Sequence, residues 1–237
     1  MELLTQKLII MGKFETLNAT MHELKLTPKE ILRHWIITKE IDGDTLEDIF
    51  CGLELDAANE PQVGYFAFAG GIFAPRLNVY PNFIGILAWL NPDSNAPIGE
   101  RGLILIPEKQ TGKWARHNGR IGANRKQDGI GNTEIMNTLS DGKYITFPAA
   151  TFCSQYQGNG IEKGEGFLPA VSQLENIAQN AKAIKYAMSQ IGCDFSGKLL
   201  SSTEYTSHYA YTVDVDTLEV SGISKIQDCD YYAILAF

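Results

Sequence analysis

The sequence lacks any apolar run of the ~20 residues that a membrane-spanning helix requires, and its longest apolar stretches are Phe83 to Leu90 and Leu103 to Ile106. The N-terminus also lacks a charged region followed by a longer apolar core, so we expect no signal peptide in it. Both absences predict a protein without a membrane span.

Cysteine is scarce, and the four cysteines stand far apart, without a C-x-x-C pair or a histidine at zinc-ligand spacing. We therefore expect free thiols and no metal site. The sequence has neither a G-x-S-x-G elbow nor a G-x-x-x-x-G-K-[ST] phosphate loop, and its four histidines lie in no recognisable catalytic setting. These absences predict a protein that is not an enzyme and binds no cofactor.

Positive charge is in deficit, because 28 acidic residues outnumber 20 basic ones and the net charge is -8. Such a field repels phosphate backbones, so a nucleic-acid partner is not expected. Residues 109–126, which we call the basic segment, depart from this balance with six basic residues and no acidic one. They could grip an anionic glycan or an acidic partner surface, but charged loop segments are more often simply solvated.

The chain divides near Ala58 into two parts of different character. In residues 1–58, Thr27, Pro28 and Glu30 predict the capped start of one short helix, and a second helical pattern opens at Asp44. A segment of this length buries little surface alone, so we expect it to serve attachment or oligomerisation. Residues 59–237 form the second predicted domain.

The second part alternates between strand and helix patterns. Short apolar runs from residue 64 to 106 predict strands, and Asn91 to Gly99 predicts a hairpin between two of them. Helices are predicted over Thr133 to Leu139, Phe147 to Tyr156 and Ser172 to Ile191, with Ser172 and Glu175 as a capping box. A final apolar run, Tyr231 to Phe237, predicts a strand at the end of the chain. Strands, then helices, then strands indicate an α+β fold.

The region from Thr206 to Asp230 mixes Tyr, His, Asp, Ser and Ile without a single structural logic. Within it, Tyr211, Val213 and Val215 alternate with Thr212, Asp214 and Asp216, which predicts a strand with the first three buried and the last three facing solvent. Tyr and His give large contact area with a polar tip, as in diversified binding surfaces. Composition alone would favour a solvated strand-and-loop region of an ordinary domain over a binding surface.

Five short motifs, taken in order, resemble those of a known family. They are Asn132–Glu134, Thr146–Ala150, Gly166–Pro169, Ser201–Tyr205 and Ala233–Phe237. The chain from Val63 to Phe237 thereby resembles the C-type-lectin-like domains of bacteria and phages that include the variable proteins of diversity-generating retroelements. The resemblance implies a C-type-lectin-like fold that performs no chemistry and displays a ligand-binding face at its C-terminal strands and loops.

The resemblance further implies recognition of a cell-surface protein or glycan, on a phage tail tip in the virion or as an exported adhesin on a bacterial surface. It also suggests display as a homo-oligomer such as a trimer, in which avidity strengthens weak contacts. The expected ligand-binding residues are Tyr205, Thr206, His208, Tyr209, Thr212, Asp214, Asp216, Ser221, Ile223, Ser224, Ile226, Asp228 and Asp230.

Three other interpretations stay open. Asp214, Asp216 and Glu219 could offer oxygen ligands to Ca²⁺, but the Glu-Pro-Asn and Gln-Pro-Asp triplets of sugar-binding lectins are absent, so no metal is expected. The same broad fold hosts formylglycine-generating oxidases, which need two closely spaced cysteines, whereas Cys193 and Cys229 lie far apart in the sequence. The third interpretation is a structural virion or matrix domain that binds nothing.

Overall fold

The computed structural model describes residues 61–69, 71–77, 82–93, 95–140 and 146–237. They belong to one compact unit from Pro61 to Phe237. The predictions made for residues 1–58, including both short helices and the role in attachment or oligomerisation, lie outside the described residues.

Sheet 1 contains the strands that open the unit and the last strand of the chain. It has the order β10-β4-β3-β1-β2, and every pairing is antiparallel. The predicted hairpin is confirmed, because β3 pairs with β4 across the turn-rich connection. The strands are β1 (Phe66–Phe68), β2 (Ile72–Ala74), β3 (Phe83–Leu90), β4 (Gly102–Leu105) and β10 (Ile234–Ala236).

Sheet 2 has the order β5-β9-β6-β7-β8, with β6 and β9 parallel and the other pairs antiparallel. The prediction of one final strand over Tyr231 to Phe237 is wrong, since the chain passes from sheet 2 to sheet 1 between β9 and β10. The strands are β5 (Gln110–Lys113), β6 (Lys198–Glu204), β7 (Tyr209–Asp214), β8 (Val220–Ser224) and β9 (Asp228–Tyr231).

Four helices lie between the strands of the described region: α1 (Gly129–Ser140), α2 (Pro148–Gln155), α3 (Val171–Gln179) and α4 (Ala181–Gln190). Each helical segment predicted within the described residues is helical, but the stretch predicted as one helix from Ser172 is broken at Asn180. The predicted capping box is also displaced. Helix α3 begins at Val171, whose N–H donates to Thr203 Oγ1, and the Gln173 side chain accepts the N–H of Ala170.

Two hydrophobic clusters form the core. The first contains Leu105, Phe195 and Val213 and lies against α3 and α4. The second contains Trp114, Phe147 and residues of α2. Sheet 2 contributes to both clusters, because neighbouring residues of β6, Leu199 and Leu200, belong to different ones. Both faces of this sheet are therefore covered over much of its area.

The architecture confirms the predicted α+β class. Within the described ranges, the helices include none that is both long and apolar enough to cross a membrane.

Candidate functional site

The β6–β7 turn gathers four of the predicted binding residues at one end of sheet 2. Thr206 Oγ1 accepts the N–H groups of His208 and Tyr209, both at 3.1 Å, as the hydroxyl of an ST-turn does. The Tyr209 carbonyl in turn accepts the N–H groups of Tyr205 and Thr206 at 2.9 and 3.0 Å. These bonds fix the backbone while leaving the side chains of His208 and Tyr209 exposed.

Three tyrosines surround a glycine next to this turn, and we call them the tyrosine face: Tyr205, Tyr209 and Tyr211. The Tyr205 and Tyr211 rings lie 4.6 Å apart between centroids. Gly222 pairs with Tyr211 across β7 and β8, and a Cβ there would come within 3.1 Å of Tyr205 Cδ1. The missing side chain at residue 222 thus leaves room for the rings. Lys126 Nζ lies 5.9 Å from the Tyr211 centroid, within cation–π range.

Thr212 does not belong to an accessible face, so the prediction that it points to solvent is wrong. Its exposed fraction is 0%, and its Oγ1 hydrogen-bonds to Ser221 Oγ at 3.1 Å across the hairpin. The alternation expected of a strand with one wet face fails here because both faces of sheet 2 are covered at this point. Val213, on the opposite face, is buried in the first core cluster as predicted.

Asp214 and Asp216 lie at the far end of β7 and hold turns. Asp214 Oδ1 accepts the N–H groups of Asp216 and Thr217 at 2.9 and 3.0 Å. Asp216 pairs with Lys185 and accepts the N–H of Gly197 at 2.7 Å. The bond from Lys185, followed by that from Gly197, lowers the pKa of the Asp216 carboxyl. Over the described residues, no group of three or more His, Cys, Asp or Glu side chains is arranged to hold a metal ion.

The β8–β9 turn lies beside the β6–β7 turn, because the Lys225 N–H donates to the His208 carbonyl at 2.9 Å. It brings exposed Ile226 to the same end of the sheet as the tyrosine face. On β8, Ser224 and Ser221 are half-buried, and Ile223 packs against the second core cluster.

The two predicted aspartates of β9 face the basic segment. Asp228 lies opposite Lys113 in the backbone register of β5 and β9. Asp230 is paired with Thr111, whose hydroxyl donates to Asp230 Oδ1 at 2.5 Å, and its other oxygen lies 3.8 Å from Lys109 Nζ. Strand β5 therefore brings the start of the basic segment to the predicted binding region.

The rest of the basic segment is bound to the β6–β7 turn through backbone groups. The Gly119 N–H donates to the Ser207 carbonyl at 2.8 Å. The Glu204 carboxylate accepts the N–H of Ile121 at 3.1 Å and that of Gly122 at 3.2 Å. A segment that composition would leave as a solvated loop is thereby fixed beside the candidate site.

A buried ion pair lies beneath this contact, and sequence reasoning missed it. Lys225 is fully buried, and its ammonium donates to the Glu204 carboxylate and to the Gly119 carbonyl, the latter at 2.6 Å. It also lies 4.5 Å from the centroid of the Trp114 ring. Burial lowers the pKa of Lys225, and the pairing with Glu204 opposes that shift. The one feature of the sequence that pointed to this ion pair was Glu204, which lies within the Ser201–Tyr205 motif.

A groove of about 550 Å³ opens between the basic segment, β9 and the start of α2. Arg116 at its rim is fixed through its backbone, since its N–H donates to the Thr146 carbonyl at 3.0 Å. The groove is lined by Gly112, Lys113, Arg116, His117, Pro148 and Asp228.

Three of the four cysteines lie in the described residues, and none of those three lines the groove. Cys153, Cys193 and Cys229 are all free, and Cys153 is fully buried. Burial raises the pKa of the Cys153 thiol far above its usual range, and burial followed by the charge of Asp230 raises the pKa of Cys229 to about 11. Both thiols are protonated at neutral pH and are therefore poor nucleophiles.

Comparison with known proteins identifies a similar fold among solved structures. No protein-family model matches the chain, and no curated protein does. Among solved structures, the chain is similar to a fimbrial protein from Bacteroides ovatus, with a TM-score of 0.58 and 15% sequence identity. The match covers 74% of this chain and 49% of that one, so the similar region spans about half of the fimbrial protein. At this level of identity the two proteins share a fold.

Proposed function

We propose that this chain is a non-enzymatic ligand-binding domain of C-type-lectin-like fold that recognises a cell-surface ligand. The observation that carries the proposal is the tyrosine face on a hydrogen-bonded turn, with Tyr205 52% and Tyr209 47% exposed. Exposed tyrosines on a rigid backbone offer contact area at low entropic cost. His208 and Ile226, exposed on the adjoining turns, extend the surface.

As the first setting, we propose that the chain is part of an adhesive structure on a bacterial surface. The structural similarity to a fimbrial protein supports it, and so does the order of the sequence motifs. A phage tail tip whose binding face is diversified by a retroelement is the second setting. The motifs favour it, and exposed residues from Thr206 to Ile226 would be the positions that vary.

The non-enzymatic part of the proposal rests on the chemistry of the candidate nucleophiles. The pKa values of Cys153 and Cys229 are raised, which argues against oxidase chemistry at either thiol. Ser207 Oγ lies 2.9 Å from His208 Nδ1, but no carboxylate of the described residues hydrogen-bonds to that imidazole. A serine–histidine pair without an orienting group makes a weak nucleophile.

The test is binding by a multivalent form of the whole chain. Biotinylated protein on fluorescent streptavidin is incubated with bacterial cells and with an array of immobilised glycans, because avidity reveals weak single contacts. Replacing Tyr205 and Tyr209 together by Ala should weaken binding about tenfold or more, as loss of aromatic hot spots does. The matched control is Tyr186→Ala, which removes a tyrosine that is 71% exposed on α4. Equal binding by the double variant and this control would refute the tyrosine face as the site.

The phage setting has its own test in natural sequence variation. Sequencing codons 200–237 of this gene across a population should show substitutions at exposed positions such as His208, Tyr209 and Ile226. Buried Thr212 and Lys225 should stay fixed, because their side chains are packed in the core. A substitution frequency that is the same at exposed and buried positions would refute diversification. The binding proposal would then be decided by the cell and glycan assay.

A further inference from the structure

The groove beside the basic segment has the size of a small-molecule site. Its volume of about 550 Å³ falls within the range of roughly 300 to 1,000 Å³ that is typical of ligand pockets, and it suits one or two sugar rings. The basic segment, which supplies three of its lining side chains, is joined to the β6–β7 turn by the bond from the Gly119 N–H to the Ser207 carbonyl.

Three positively charged or chargeable side chains line the groove without a carboxylate partner. Among the described residues, Lys113, Arg116 and His117 take part in no ion pair, although acidic residues outnumber basic ones in the chain. Lys109 and Lys225, by contrast, are both paired with a carboxylate. N–H donors that line one concave surface without a carboxylate partner are suited to binding an anion.

The backbone that presents these donors is held by buried contacts. Trp114, between Lys113 and Arg116, is 1% exposed and its indole N–H donates to the Ser201 carbonyl at 3.1 Å. The Ala115 N–H donates to the Lys225 carbonyl at 2.9 Å. The backbone that carries the donors is therefore fixed, so binding does not have to order it.

Asp228 adds a different function to the same groove. Its carboxylate accepts hydrogen bonds only, so it suits a ligand with hydroxyl donors and repels a second anionic group. A polyanion such as a nucleic acid fits poorly, both here and against the net charge of -8. A ring that bears hydroxyl groups and a single anionic group offers acceptors to the N–H donors of the lining and O–H donors to the Asp228 carboxylate.

We propose that the groove binds a carboxylated sugar of the uronic or sialic acid class. The carboxylate lies against Lys113, Arg116 and His117, and the ring hydroxyls donate to Asp228. This inference deepens the proposed function, on which it rests, by naming the charged part of the surface ligand.

The experiment measures binding of D-glucuronic acid and N-acetylneuraminic acid to the whole chain by isothermal titration calorimetry, with D-glucose and acetate as controls. D-glucose has the hydroxyls without the carboxylate, and acetate has the carboxylate without the ring. We expect at least one acidic sugar to bind about tenfold more tightly than either control. Arg116→Ala should weaken that binding about tenfold through loss of charge-assisted hydrogen bonds, whereas Arg76→Ala, at an exposed arginine after β2, should not.

Asp228→Asn tests the contribution of the Asp228 carboxylate apart from that of Lys113, Arg116 and His117. It should reduce the preference for the acidic sugar over acetate, because the amide is a weaker acceptor for the ring hydroxyls. Equal binding of glucose and the acidic sugars, no binding of either acidic sugar, or tighter binding of a single-stranded oligonucleotide would overturn the inference. If the protein binds cells through Tyr205 and Tyr209 but does not bind the acidic sugars, only this inference fails. If the acidic sugars bind while cells and arrayed glycans do not, the proposed function fails instead.

Discussion

Lys225 is buried beneath the candidate site and contacts several of its parts. Moving a lysine ammonium out of water into the protein interior costs free energy. Here that cost is offset by contacts with the Glu204 carboxylate, the Gly119 carbonyl and the ring of Trp114. Its partner Glu204 also accepts two backbone N–H groups of the basic segment. One ion pair thereby connects β6, the turn after β8 and the basic segment.

Replacing Lys225 by Met should destabilise the protein by about 3–5 kcal/mol, because Glu204 is left as a buried charge without a counter-ion. The free energy of unfolding, measured in urea at pH 7, checks this. Adding Glu204→Gln to the same chain should recover part of the loss, since the neutral amide oxygen can still accept the N–H groups of the loop. A cost no larger than that of Lys126→Met, at an exposed lysine, would contradict the expectation.

At the residue scale, sequence reasoning located the tyrosines and the turn but not what holds them. Tyr205, His208 and Tyr209 are exposed as a binding surface requires. Thr212 was misassigned because an alternating pattern shows which side chains share a face, and not whether that face is covered. Lys225 was not foreseen because its partner is distant in the sequence and because lysine is rarely buried.

Among the elements, strand β3 depends on a glycine at its irregular pairing with β1. The register shifts there, with Ala67 opposite Gly85 and Phe68 opposite Phe83. On the other side, a Cβ at residue 85 would come within 2.4 Å of the Leu105 carbonyl oxygen. Strands β3 and β4 can approach closely only because Gly85 has no side chain.

Gly85→Ala should therefore cost about 2–3 kcal/mol, since the clash is with the backbone of the neighbouring strand and no side chain can move aside. The midpoint of thermal unfolding, followed by circular dichroism, measures the effect. Gly158→Ala is the matched control, because its Cβ would approach no atom closer than 3.7 Å and should change stability by less than about 0.5 kcal/mol. Similar midpoints for the two variants would disprove the packing argument.

The helix α2 was predicted from a local pattern, whereas two features that depend on long-range contacts were not predicted. The pattern that identified α2 is local, with Pro148 at the start of an apolar run. The break between α3 and α4 at Asn180 has a tertiary cause, since the Asn180 side chain donates to the Ala88 carbonyl of β3 at 3.3 Å. The separation of β9 from β10 is likewise fixed by their partners β5 and β4, which no local pattern reveals.

For the molecule as a whole, lowered aspartate pKa values predict sensitivity to acid. The Lys185 bond lowers the pKa of Asp216, and the hydroxyl of Ser196, followed by Lys109, lowers that of Asp194. A carboxyl whose pKa is lower in the folded state stabilises the fold above its unfolded pKa of about 4 and loses that effect as pH falls through the folded value. Stability should thus decline below about pH 4.

Asp216→Asn isolates one contribution to this decline. The variant should be less stable than the native chain at pH 7, and the difference should vanish near pH 2, where the native carboxyl is protonated too. Urea unfolding at both pH values gives the comparison. Glu219→Gln, at an exposed residue of the same hairpin, should leave both values unchanged. A difference for Asp216→Asn that persists in acid would show that geometry, rather than charge, stabilises this turn.

The pairing of β10 with β4 constrains how the chain folds during translation. Strand β4 ends at Leu105, but its outer neighbour begins only at Ile234, and all five strands of sheet 2 are synthesised in between. A nascent chain on the ribosome therefore carries an open, apolar β4 edge until residues near 236 have emerged. Open edges of this kind attract other strands, so a chaperone that shields nascent chains should raise the yield of folded protein.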